Sequence, residues 1–234
     1  MNLALLERLL ETRREGIATA LATELASGRQ ALILPDGIEG DLVPSPETLA
    51  TLRAAIAADR SGLVETSTGE IFVEVWNPPL RLVMVGGVHI AQALVPVAAL
   101  AGYRPIVIDP RSAFGSAERF PGIELVNEWP DDAMAALKPD KRTAIVTLTH
   151  DPKIDDPALQ AALRSPAFYV GALGSRRTHA IRCERLAEAG FSADEIARIH
   201  GPVGLRIGAI TPAEIAVSIL AEITAVLRGA GGAS

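Results

Sequence analysis

The chain has 234 residues, 49% of them hydrophobic and 21% charged, a composition that excludes extended disorder. Aromatics make up only 4%, so the core must be aliphatic. The net charge is −6, and this acidic balance argues against a nucleic-acid partner, which calls for a basic surface.

Of the 22 basic residues only Lys138, Lys141 and Lys153 are lysines; the rest are arginines, suited to bidentate contact with phosphate or carboxylate. Cys183 is the single cysteine, so no intramolecular disulfide can form. The N-terminal stretch interleaves charges with leucines, unlike a signal peptide. No apolar run reaches the ~18 residues of a membrane span, so no membrane partner is expected. A cytoplasmic protein is the default expectation.

In chain order, residues 2 to 26 carry leucines at helical spacing and predict one helix. Ala31–Leu34 and Leu63–Val75 read as short strands with turns at Asp36-Gly37 and Thr68-Gly69. Between them Ser45-Pro46-Glu47 starts a helix, with Ser45 as N-cap and Pro46 in the first turn. Residues 1–77 are thus expected to form a small α+β domain, closed by Asn77-Pro78-Pro79, whose prolines cannot continue a strand ladder.

From residue 80 to 230 the pattern alternates. Leu82–Val85, Pro105–Ile108, Thr143–Leu148 and Phe168–Val170 are continuous apolar runs bounded by Gly or Asp. A helical stretch, Ile90–Ala101, follows the first. Such runs predict a parallel sheet buried on both faces, hence an α/β domain that opens like a Rossmann unit. Ser192-Ala193-Asp194-Glu195 and Thr211-Pro212-Ala213-Glu214 match the capping box and predict two helix starts. The tail from Gly229 to Ser234 is expected to be flexible.

Ligands of open α/β sheets bind beyond the carboxyl ends of the strands. The residues expected there are Gly86, Gly87 and His89, then Asp109 and Arg111, then His150 and Asp151. The last group is Gly171, Gly174, Ser175, Arg176, Arg177 and His179. Gly86 and Ala91 match the first and last positions of G-x-G-x-x-G/A, but Val88 replaces the middle glycine, which weakens the case for ordinary NAD binding. A phosphate loop and a plain tight turn both remain open for Gly86-Gly87. Asp109 lies 23 positions after Gly86, near the spacing of a ribose-binding acid. Arg111 could neutralise an added phosphate; the alternatives are a helix cap for Asp109 and a solvated side chain for Arg111. The Gly171–His179 block places two arginines at a predicted helix start, an arrangement suited to an anion. His179 and Cys183, four apart, share a helix face, as a nucleophile or metal pair or as an inert buried thiol. His200 reads equally as a loop contact or a packed side chain. No histidine spacing supports a metal site, and no catalytic residue is singled out.

Tyr169–His179, Ile199–Leu205, Ile207-Gly208-Ala209 and Thr211–Ile219, together with Gly86–Ala91 and Ile108–Arg111, resemble the XdhC/CoxI family. These are accessory proteins of xanthine dehydrogenase and related molybdenum hydroxylases. The resemblance covers roughly residues 80 to 228 and is most specific in Gly171–His179. It implies a chaperone that binds the molybdenum cofactor, as molybdopterin or its dinucleotide form. It also implies protection of the cofactor during sulfuration and insertion into an apo molybdenum hydroxylase. A cysteine desulfurase is a further implied partner; a homodimer is the commonest closed assembly. On this resemblance Gly86, Gly87, His89, Gly174, Ser175, Arg176 and Arg177 would hold the phosphate or dinucleotide, and His150, Asp151 and His179 would face the pterin or the metal. No Ser-x-Gly-Gly-Cys stretch of longer members occurs before residue 80, and Arg206 and Ile210 depart from the expected Gly-Leu-x-Ile-Gly-Ala-x-Thr-Pro pattern. The alternatives are an NAD(P)-dependent oxidoreductase, from Gly86 and Asp109, and an interaction module with a vestigial nucleotide site.

Overall fold

The structure, a computed structural model, describes residues 3–67 and 69–230. Asn2 of the expected first helix, Thr68 of the expected turn and residues 231–234 of the tail lie outside the described residues. The chain divides into two units, Met1–Pro78 and Pro79–Ser234.

In the first unit, helix α1 spans Leu3–Glu15 and stops at Gly16, whose φ of 68° suits the left-handed region. The single helix expected over 2 to 26 is therefore wrong beyond residue 15, because Thr19–Glu24 form strand β1. This strand pairs on both sides, with β2 (Gln30–Ile33) and, in register Ala22↔Val73, with a later strand. Two ladders outweigh the weak helical preference of Thr-Ala-Leu-Ala-Thr-Glu. The Asp36-Gly37 turn leads into β3 (Ile38–Gly40), with the Leu34 N–H donating to the Gly37 carbonyl at 2.9 Å. Helix α2 (Pro46–Ala57) starts as its sequence dictates: the Ser45 hydroxyl accepts the Thr48 N–H. Strands β4 (Gly62–Thr66) and β5 (Gly69–Trp76) complete an antiparallel sheet of order β3-β2-β1-β5-β4. Leu52 of α2 packs on Ala20, Ala22, Ile33, Ile71 and Val73. Leu5 and Leu9 of α1 cluster with Leu32 and Leu34.

The second unit opens with β6 (Leu80–Val85), α3 (His89–Leu100) and β7 (Tyr103–Ile108). After β8 (Glu124–Val126) and α4 (Pro130–Leu137) come β9 (Thr143–Thr147), α5 (Pro152–Arg164) and β10 (Tyr169–Ala172). Helix α6 spans Arg176–Glu188, α7 is one turn over Ala193–Ile196, β11 is Ile199–His200, and α8 runs from Pro212 to Leu227. Both expected capping boxes form, at Ser192/Glu195 and Thr211/Glu214.

Every pairing in this sheet is parallel, in the order β11-β10-β9-β6-β7-β8. Numbered from β6, that is 6-5-4-1-2-3, the Rossmann order. Along β6, Val83 and Val85 face a core shared with α4 and α5, while Leu82 and Met84 face one shared with α3 and α8. Both faces are dry, which is why these strands read as unbroken apolar runs. The strand order reverses between β6 and β9, so the loops after these two strands diverge and leave a crevice at the carboxyl edge.

Candidate functional site

The loop after β6 is built from two glycines with different tasks. Gly86 has φ of 112°, and a Cβ there would stand 2.5 Å from Cγ2 of Thr149 in the loop after β9. A Cβ on Gly87 would collide with the carbonyl oxygen of Phe114. The Gly87 N–H donates to Oδ2 of Asp109 at 2.8 Å. Asp109 is fully buried. Its carboxylate also accepts the Arg111 backbone N–H at 3.0 Å and both arms of the Arg111 guanidinium at 2.9 and 2.8 Å. Burial opposes ionisation, but Arg111 and the Gly87 N–H more than offset it and hold the Asp109 carboxyl below the usual carboxylate range. Arg111 lies 4.2 Å over the Phe114 ring, and Arg119 donates to the carbonyls of Gly87 and Phe114. The segment after β7 is thereby fastened across the glycine loop. Val88 is the N-cap of α3 and supplies no side-chain cap, and His89 is exposed in the first turn.

After β9, Thr149 and His150 wrap around Asp155 of α5. Asp155 accepts from the Thr149 hydroxyl at 2.7 Å, the Thr149 N–H at 3.3 Å and the His150 N–H at 3.1 Å. His150 adopts φ of 64° and is exposed; Asp151 caps α5 by accepting the Lys153 N–H. Behind this loop, Arg182 of α6 is 2% exposed, and its Nη2 stands 3.8 Å from Asp155 Oδ2. Burial raises the Asp155 carboxyl above its usual range despite Thr149 and Arg182.

After β10 the chain differs from expectation at one glycine. The strand runs on to Ala172, so Gly171 lies inside it. Its missing side chain makes room for Val203 and Tyr169, since a Cβ would meet them at 2.6 and 2.8 Å. The loop proper is Leu173-Gly174-Ser175, and Ser175 caps α6 through the Thr178 N–H. The neighbours Arg176 and Arg177 part company here, because successive helical residues are rotated by about 100°. Arg176 lines a cavity of about 790 Å³ toward α8, while Arg177 lines a smaller one toward α5. The His179 ring lies against Gly201, and its Nε2 is 3.6 Å from Cys183 Sγ. Burial, then the charge of Arg182, lowers the His179 pKa. Cys183 is half-buried, not enclosed in the core.

The larger cavity involves residues beyond those singled out from sequence. Leu205–Ala209 border it, with His200 at the end of β11 and Glu222 from α8. Glu222 accepts the Tyr169 hydroxyl and, at 2.9 Å, the Gly204 N–H, with His200 Nδ1 at 3.6 Å. His200 stacks on Tyr169 at 4.6 Å between ring centroids. Burial works against the Glu222 charge, yet His200, Tyr169 and the Gly204 N–H bring its pKa below the ordinary value. One sequence signal for Glu222 existed: it is a lone carboxylate on the stripe Ile215, Ile219, Val226. His200 was open between a loop contact and a packed side chain, and Arg182 had no signal. Their partners, Tyr169 and Glu222 for the first and Asp155 for the second, are remote in sequence and meet them only through the fold.

The parallel sheet therefore brings the loops carrying Gly86, His150 and Gly174 onto one edge of adjacent strands, with His200 at its margin. Among the described residues no group of three His, Cys, Asp or Glu side chains could hold a metal ion. No helix among them is long and apolar enough to cross a membrane.

Comparison with known proteins agrees with this architecture. The XdhC Rossmann domain matches residues 82–223. The Escherichia coli molybdenum cofactor insertion chaperone PaoD is 36% identical over 151 residues, 64% of this chain and 41% of that protein. An uncharacterized E. coli protein, YqeB, is 35% identical over 76% of this chain and 32% of its own length. A Bacillus subtilis protein described as a probable xanthine dehydrogenase subunit is 31% identical over 67% of this chain and 46% of its own. The matched part is thus less than half of each of these curated relatives. A crystal structure described as a xanthine dehydrogenase of Bacillus halodurans shares the fold, with a TM-score of 0.75 over 99% of this chain and 66% of that one at 24% identity. The chain belongs to the XdhC family, and its second unit is the XdhC Rossmann domain.

Proposed function

We propose that this protein binds the molybdenum cofactor and supports its maturation, protecting it during sulfuration and insertion into an apo molybdenum hydroxylase of the xanthine dehydrogenase type. The observation that carries this reading is a cavity of about 790 Å³ built by the post-β10 loop, the segment between β11 and α8, and α8, at the carboxyl edge where the post-β6 and post-β9 loops also emerge. That volume is in the range of small-molecule sites. The residues present fit such a cargo: Arg176 at a helix start, a loop at Leu205–Ala209 that is apolar apart from Arg206, and polar anchors at His200 and Glu222.

On this reading Arg176 and the capped start of α6 face the phosphate of the cargo, while the loop from Gly201 to Ala209 shields the pterin from water. Gly86 and Gly87, whose own N–H groups are held by Ile108 and Asp109, shape the turn so that His89 and the start of α3 face a dinucleotide extension, and His150 borders the crevice. Asp109 acts at one remove, by fixing the Gly87 amide.

The NAD(P) alternative is disfavoured by a specific feature. A ribose-binding acid must present free oxygens, whereas those of Asp109 are already bonded to Gly87 and Arg111 within a fully buried site. The direct test is cofactor retention. The full chain, purified anaerobically with molybdopterin supplied, is expected to hold cofactor and to raise activation of an apo molybdenum hydroxylase. Arg176→Ala is expected to weaken retention at least tenfold, because a charged hydrogen bond is worth roughly 1.5–3 kcal/mol. Absence of retained cofactor together with no effect on activation overturns the reading. Tight NAD(H) or NADP(H) binding by calorimetry would favour the oxidoreductase instead.

A further inference from the structure

We infer that the cleft between the first turns of α5 and α6 is a pocket for a tetrahedral oxyanion, the phosphate group of a free ion or a monoester. The cleft encloses about 250 Å³, several times the ~30 Å³ share of one water molecule. His150 and Asp155 border it on the α5 side; Arg177, Thr178, Arg182 and Arg185 border it on α6.

The decisive group is Arg182. It is 2% exposed, deep in the wall of the cleft. One arm donates to the Leu173 carbonyl at 2.9 Å, and that same Nη2 is the atom 3.8 Å from Asp155. Its Nε and Nη1 are buried with no hydrogen-bond partner. A guanidinium carries five donors and no acceptor, so two idle nitrogens call for an external oxygen ligand. Asp155 does not supply it: its approach to Arg182 is to Nη2, at 3.8 Å, beyond hydrogen-bond distance, and its oxygens accept from Thr149 and His150. Arg185 is held by Asp156 in a two-armed pair at 2.6 and 2.8 Å, which removes it as a competing cation. Arg177 is exposed and makes no ion pair among the described residues. Arg182, buried with two idle nitrogens, and the exposed Arg177 on the same helix both line this one cleft, and guanidinium groups suit planar bidentate recognition of phosphate.

This inference is independent of the molybdenum-cofactor reading, and its test uses no cofactor. The full chain is titrated with inorganic phosphate and with phenyl phosphate by calorimetry and phosphorus NMR. Saturable binding in the millimolar range or tighter is expected. Arg177→Ala should weaken it at least tenfold, and Arg104→Ala, at the opposite edge of the sheet, should leave it within twofold. Arg182→Lys should also weaken it, with an unchanged far-ultraviolet spectrum showing retention of the fold. Arg177→Ala, on an exposed residue, keeps the test valid if Arg182→Lys does not fold. Phenyl phosphate binding at least as tightly as phosphate identifies the end group of a larger guest; phosphate binding alone identifies a free-ion site. A cleft filled only by water predicts no saturable binding of either probe. That result, or equal losses in Arg177→Ala and Arg104→Ala, overturns the inference.

Discussion

Asp109 accepts the Gly87 N–H at 2.8 Å across 22 positions of sequence, and this one bond ties the end of the second strand of the Rossmann unit to the turn after the first. The acid sits where a ribose-binding carboxylate is expected, but it is turned inward and closed off by Arg111. It sets the shape of the glycine loop and presents that loop, not its own oxygens, to the crevice.

Removing this carboxylate strands the Gly87 amide and the Arg111 fork. Breaking a buried pair costs about 3–5 kcal/mol, and the partial exposure of Arg111 reduces that to about 2–3 kcal/mol for Asp109→Ala. The pH dependence follows from the depressed folded-state pKa. The unfolded carboxyl titrates near 3.9, so the contribution is complete above about pH 5 and disappears as pH falls below that value. Urea denaturation between pH 3 and 6, compared with Asp109→Asn, should show a steeper acid loss in the parent chain.

Gly86→Ala should destabilise through two separate causes. Its φ of 112° disfavours any side chain, and the new methyl meets Thr149 Cγ2 at 2.5 Å. Overpacking of this kind costs about 1–3 kcal/mol, and backbone strain costs a similar amount. Thr149→Ser removes Cγ2 and keeps the hydroxyl that bonds Asp155. The double variant should therefore recover the overpacking part alone in a denaturation cycle.

Tyr169 is 1% exposed and donates to Glu222, and burial followed by the Glu222 charge pushes its pKa far up. Tyr103, the only other tyrosine, is also raised by burial. The folded protein should thus show no tyrosinate absorbance near 295 nm at pH 10.5; a signal there from the folded state contradicts the buried phenols. Tyr169→Phe should cost about 1.5–3 kcal/mol, the usual value for a hydrogen bond to a charged acceptor.

His179 is held neutral by burial and by Arg182. Below about pH 6.5 the unfolded imidazole takes a proton that the folded one resists. Unfolding is then favoured by protonation, and stability should fall from pH 7 to pH 5. His179→Gln should flatten that slope. An unchanged slope in equilibrium unfolding assigns the pH dependence elsewhere.

Local chemistry made several parts of the fold legible in advance. Both capping boxes, the Ser45 cap and the two-faced burial of Leu82–Val85 are written in a few adjacent residues, and each formed as its spacing requires. The chemistry-bearing edge was legible for the same reason: parallel strands put their carboxyl ends together, so Gly86, His150 and Gly174 meet once the strands are recognised. Strand β1 was not legible, because Thr19–Glu24 becomes a strand only through pairing with both β2 and β5. Nor was the short β11, which exists by aligning on β10.

Sequence alone determined the parallel Rossmann sheet and the set of loops at its carboxyl edge, since periodicity and caps act over a few neighbouring residues. Tertiary structure decided what each side chain there can do. Asp109 was turned inside the protein, Arg176 and Arg177 were sent to different cavities, and Arg182 was buried with two idle donors. Those outcomes depend on solvent exclusion and on partners from distant segments, quantities that exist only after the chain has packed.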